Sequence, residues 1–181
     1  LALPFAFRTG GRTAAPDGAR RLIIITPHNE QIRAEFGAGF DRWHEAKYGE
    51  RVAVIWNVPG GTSEIRKMLL AQYEAAFTSG RPPGGSADLV FGGGSYEHEL
   101  LKRGVTFELD DTEQTEPITA AVDFDPDWLA ERYGVNEIGD AELYDPEGHW
   151  FGNALASFGI VYNRDVLGRI GVPEPATWED L

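Results

Sequence analysis

Three short stretches combine residue types that can hold a small ligand: Thr26-Pro27-His28-Asn29-Glu30, Pro59-Gly60-Gly61-Thr62-Ser63 and Gly92-Gly93-Gly94-Ser95. Glycine lets the backbone approach a ligand closely. A loop leading into a helix also offers N–H groups that have no intrahelical partner. The candidate ligand-binding residues are therefore His28, Asn29, Gly60, Gly61, Thr62, Ser63, Gly93, Gly94 and Ser95. They act through backbone N–H groups and short side chains, without covalent chemistry. His28 is also the candidate metal ligand, since an imidazole at a strand end can bind a cation or an anionic ligand; alternatively it helps cap the helix beside Asn29. Glu30 and Glu64 read as acids placed in first helical turns, where the macrodipole favours them. Gly92 to Gly94 also fits a plain strand-to-helix turn.

Other chemistries find less support. There is no G-x-x-x-x-G-K-[ST], and GGTSE does not form G-x-G-x-x-G after a first strand, which disfavours a nucleotide fold. No G-x-S-x-G surrounds Ser63, Ser79, Ser86, Ser95 or Ser157. His44, His98 and His149 lack zinc-motif spacing and read as solvated surface residues. The run Glu108, Asp110, Asp111, Glu113 reads as a solvated acidic loop.

The elements that must position the three loops follow from hydrophobic period. RLIIIT at 21–26 is a β-branched run, the pattern of a strand buried on both faces. Ile32, Phe36, Phe40 and Trp43 then recur at three- and four-residue steps, predicting an amphipathic helix ended by Gly49. RVAVIWN at 51–57 predicts a second strand. A second helix follows, capped by Thr62 or Ser63 and turning Ile65, Met68, Leu69 and Phe77 inward. After the loop RPPGGS, ADLVFGGG at 87–94 predicts a third strand and SYEHELLKRG a short third helix. Strands and helices alternating in this way imply a parallel sheet with right-handed crossovers, and all three loops should open on one sheet edge. Segment 105–148 is acidic and weakly periodic, with one short helix expected near Pro126 to Tyr133. One or two strands are expected around Phe158 to Tyr162, then a turn at Asn163 to Asp165.

The 181 residues are 42% hydrophobic, enough for a core, and carry a formal net charge of -13. That charge disfavours nucleic acid and anionic membranes, which need clustered Lys and Arg. With no cysteine, disulfides and thiolate chemistry are excluded. Residues 1–20 begin LALPFAFRTGG and read either as the tail of a signal or anchor segment followed by a linker, or as an arm packed on the domain. Near the other end, Thr177 and Asp180 have capping-box form after Pro173 and Pro175, predicting a helix start and a chain that continues.

Taken together, IIITPHNEQIRAEFGAGFDRWHEAKYG, VAVIWNVPGGTSEIRKMLLA, ADLVFGGG and FGIVYNRDVLGRIGVPEPATWEDL resemble the N-terminal part of a bacterial extracellular solute-binding protein of an ABC transporter, closest to the ferric-iron-binding subgroup. The resemblance implies a periplasmic-binding-protein-like (type II) α/β lobe. It would be a three-layer α/β/α unit with a mostly parallel sheet, truncated before most of the second lobe. On that basis residues 1–20 are a linker, 21–155 the first lobe, and 156–181 a hinge strand and the start of the second lobe. The implied function is capture of a small solute, ferric iron or its chelate among them, in an interlobe cleft, with delivery to a membrane permease. The implied location is periplasmic or extracytoplasmic, with membrane contact only through an N-terminal anchor, and no resident cofactor. His28 matches the position of a histidine ligand in iron-binding members. Where those members place a carboxylate after the third strand, this chain has Gly92, Gly93 and Gly94, with Glu97 slightly later. Two other classes stay open: a solute-sensing domain of a membrane signalling protein, and an enzyme on the same two-lobed scaffold.

Overall fold

The computed structural model describes residues 18–81, 87–156 and 159–180. Most of the expected N-terminal linker, all of the RPPGGS loop except Arg81, and Ser157 and Phe158 lie outside the described residues. The chain divides into two units, Leu1–Phe151 and Gly152–Leu181.

In the first unit, β1 (Arg20–Ile25) is central. It pairs in parallel with β2 (Val52–Asn57) on one side and with β3 (Leu89–Val90) on the other, giving the order β2-β1-β3. Helix α1 (Glu30–Tyr48) links β1 to β2, and α2 (Thr62–Thr78) links β2 to β3 across β1. These crossovers run in opposite directions along the sheet, so right-handedness places α1 and α2 on opposite faces. The register agrees. Ile24 and Trp56 share a face, and Gly37 of α1 lies so close over the Trp56 ring that a Cβ there would stand 3.4 Å from Nε1. On the other face Ile25 packs with Ile65 and Leu69 of α2 and with Leu101 of α3 (Ser95–Arg103). Burial of a side chain such as Leu101 contributes about 2 kcal/mol.

Local signals account for the helix ends. Asn29 caps α1 by accepting the Ile32 N–H at 3.1 Å, and Gly49 closes it in the left-handed conformation. Helix α2 differs from expectation: its N-cap is Gly61, and Thr62 and Ser63 already lie inside the first turn. Ile65 and Leu69 are buried as expected. Met68 and Phe77 are half-buried, and Phe77 stacks on Phe107 with ring centroids 4.8 Å apart.

The acidic segment is more ordered than its composition suggests. Strands β4 (Val105–Leu109) and β5 (Thr112–Glu116) form an antiparallel hairpin where a solvated loop was expected. Val105 and Phe107 face inward and Thr106 and Glu108 outward, so one face of β4 packs on α2 while β5 is exposed throughout. Helix α4 (Pro126–Tyr133) has the expected span, with Asp125 accepting the Asp127 N–H. The stretch ending the unit is moored to α3 by two side chains. Lys102 reaches the buried Asp145 at 2.7 Å, and Trp150 Nε1 donates to Glu99 at 2.7 Å.

In the second unit no strand forms over residues 159–162, which pair with no other strand among the described residues. Without a ladder partner the apolar residues there do not make a strand, and Val161 is left 98% exposed. Asn163 instead caps α5 (Arg164–Ile170), and Tyr162 donates its hydroxyl to Glu174 at 2.8 Å. Trp178–Asp180 form a 3-10 turn. The Asp180 carboxylate reaches back to the Ala176 and Thr177 N–H groups, as a capping box requires, while the Thr177 hydroxyl donates to that carboxylate and caps no N–H among the described residues.

Candidate functional site at the strand carboxyl ends

Because β1, β2 and β3 are parallel, the three loops leave the same sheet edge. The loop after β1 leads to α1 on one face, while the loop after the adjacent β3 leads to α3 on the other. Neighbouring loops that depart to opposite faces open a crevice between them, the usual ligand position in an open α/β sheet.

The residues beside that crevice touch. Gly92 takes φ +102° and Gly93 φ +97°, conformations that essentially only glycine adopts. A Cβ on Gly92 would lie 2.6 Å from His28 Nε2, and one on Gly93 would lie 2.6 Å from Thr62 Cγ2. His28 of the first loop, Thr62 of the second and the glycines of the third are thus in contact. The glycine turn is more than a connector: its missing side chains are what let the other two loops close on it.

Buried groups behind the loops fix this arrangement. Thr26 is fully buried and its hydroxyl accepts the His28 N–H at 3.1 Å. The His28 ring meets Phe91 edge-on at 4.9 Å, and Phe91 in turn packs on Phe36 at 4.8 Å and on Trp56 at 6.2 Å. His98, expected on the solvated surface, is half-buried with Nε2 3.1 Å from the Gly92 carbonyl. A carbonyl only accepts, so His98 carries its proton on Nε2. His149 was also expected in solvent, yet its Nδ1 lies 3.0 Å from the Thr119 carbonyl in a half-buried position. Neither placement has a signature in histidine spacing. His98 could have been found only by noting that the fourth residue of α3 faces back toward the glycines before that helix.

The remaining candidates divide. Ser63, Gly93, Gly94 and Ser95 are exposed at the mouth, and Thr62 is half-buried. Asn29 has its side-chain oxygen committed to the α1 cap. At Gly61, Glu64 Oε2 lies 2.8 Å from where a Cβ would be, so this carboxylate folds back over the start of α2 and competes with any anion there. Helix α3 begins at Gly94 with no side-chain cap, leaving its first N–H groups as the freer donors. Among the described residues no three His, Asp or Glu side chains gather into a metal-holding cluster, so His28 is not joined by two such partners. No helix among the described residues is long and apolar enough to cross a membrane.

No protein-family model matches the chain, and a search of curated proteins finds no match either.

Proposed function

We propose that this chain is a solute-binding lobe of the ABC-transporter type, which captures a small polar solute at its sheet edge and presents it to a membrane permease. The observation that carries the proposal is the convergence of His28, Thr62 and the Gly92–Gly93 turn at the point where adjacent strands send their loops to opposite faces. That arrangement supplies an imidazole, hydroxyls and uncapped backbone donors, with Phe91 beneath the imidazole. It holds no arranged nucleophile and base, which fits recognition better than turnover. Closure of a second lobe would complete the cleft, as in hinge-closing binding proteins. The protein would then work outside the cytoplasmic membrane. Ferric iron bound to a chelate that brings its own oxygen donors is one solute this site suits, with His28 as a protein ligand.

The test is a titration of the full-length protein with ferric citrate, small carboxylates and uncharged polar solutes, read by thermal melting and visible absorbance. A saturable rise in melting temperature that is lost in both His28→Ala and Gly92→Ala supports the site. Equal affinity in those variants, or chemical conversion of the bound solute, overturns it.

A further inference from the structure

A cavity of about 310 Å³ lies well away in sequence from the loops described above, between the segment preceding α4 and the turn that follows Asp145. Ala121, Val122, Phe124, Leu129 and Phe151 give it apolar walls, and Asp123, Asp145 and Glu147 supply carboxylates, with no Lys, Arg or His in the lining among the described residues. Its volume lies at the lower end of the range for small-molecule sites.

The three carboxylates are not equivalent. Asp145 is committed, since it holds Lys102 at 2.7 Å and the His149 N–H at 3.0 Å. Glu147 is exposed and lies 3.4 Å from the same ammonium, so a single lysine serves both acids. Asp123 is exposed at the rim and has no hydrogen-bond or ion-pair partner among the described residues. The lining therefore carries a net negative charge even after Lys102 is counted. Beside it stands an aromatic group: Phe124 stacks on Trp128 at 5.0 Å and meets Phe151 edge-on at 4.7 Å. This group already holds one cation on its flank, the Arg132 guanidinium 5.7 Å from the Trp128 ring. Aromatic walls with uncompensated carboxylates favour a cation that has an apolar body, through ring quadrupole and charge together. An anion would meet repulsion here, and the Asp125 side chain already occupies the α4 N-terminus.

We propose that this cavity is a binding site for a small organic cation, an ammonium group on an apolar or aromatic body, with Asp123 as its counter-ion and Phe124 and Phe151 as its walls. It is independent of the sheet-edge site.

The probe is 2-phenylethylammonium titrated into the full-length protein, with uncharged 2-phenylethanol as the matched control. Binding is read by calorimetry and by NMR shifts of the Trp128 indole N–H. The expected result is saturable binding of the ammonium, weaker at high salt, with the alcohol binding at least about tenfold more weakly. Asp123→Asn, which keeps shape and removes charge, should weaken the ammonium about two- to fivefold and leave the alcohol unchanged. His28→Ala should change neither, which separates this site from the one at the sheet edge. No saturation at tens of millimolar, equal binding of ammonium and alcohol, or unchanged affinity in a folded Asp123→Asn overturns the proposal.

Discussion

His28 lies against the α-carbon of Gly92, with Nε2 2.6 Å from the place a Cβ would take. Since Gly92 also has φ +102°, alanine there is both strained and in collision with the ring. Gly92→Ala should lower stability by about 1–3 kcal/mol and displace His28, weakening solute binding about tenfold or more. Gly39→Ala in α1 is the control, because nothing lies within 4 Å of its Cβ position, its φ is not positive and it lies outside the site. Parallel melts and titrations of the two variants separate the effect on the site from general damage.

Asp145 ties the end of the first unit to α3, with its side chain 3% exposed. Burial pushes its carboxyl up, but the Lys102 hydrogen bond and the His149 and Glu147 N–H groups outweigh this and hold it below the ordinary carboxylate value. A group depressed in the folded state contributes stability above its unfolded value, near pH 4, and that contribution is lost as pH falls through the folded value. Asp145→Ala should cost about 2–3 kcal/mol near neutrality, because it leaves the half-buried His149 N–H unpaired and Lys102 with only the exposed Glu147. Measured below pH 3, the gap between variant and parent should narrow. A gap that stays constant with pH would assign the loss to packing alone.

Asp110 and Asp111 turn the β4–β5 hairpin with φ 51° and 58°. Two consecutive positive values suit a type I′ turn, in which glycine is favoured at the second position. Asp111→Gly should raise stability by about 0.5–1 kcal/mol, seen as a higher denaturation midpoint with unchanged slope.

Across the same hairpin Glu108 stands directly opposite Glu113. Like charges so placed repel, and both side chains are exposed. Glu113→Lys should stabilise the protein by a few tenths of a kcal/mol or more at low ionic strength. The gain should shrink in high salt, and a salt-independent gain would point to strand propensity instead.

The two halves of the molecule differ in how much of them could be read from the chain. In residues 20–103 the strand at RLIIIT, the helix closed by Gly49 and the short helix after Gly94 are all written as period and capping, which are local properties. The α4 boundaries at Pro126 and Tyr133 were legible for the same reason, a proline at the helix start and a glycine after its end. The β4–β5 hairpin was not, although Val105 and Phe107 alternate correctly, because β5 has only polar residues and owes its place to pairing with β4. The expected strand near Tyr162 failed in the opposite sense, with suitable residues and no partner strand among the described residues.

The residues able to serve the sheet edge were legible in the chain, because glycines, a histidine and helix starts follow strand-forming runs in it. That β3 joins β1 on the side away from β2 was fixed by long-range strand pairing. That choice puts adjacent loops on opposite faces and brings Gly92 onto His28 and Gly93 onto Thr62. The roles of Thr26, Phe91 and His98 were settled at the same level, as was the pairing of Asp145 with Lys102. The physical reason is range: capping and periodicity act within a few residues, whereas strand order and buried charge pairs join residues tens of positions apart, and no local pattern records which of them will meet.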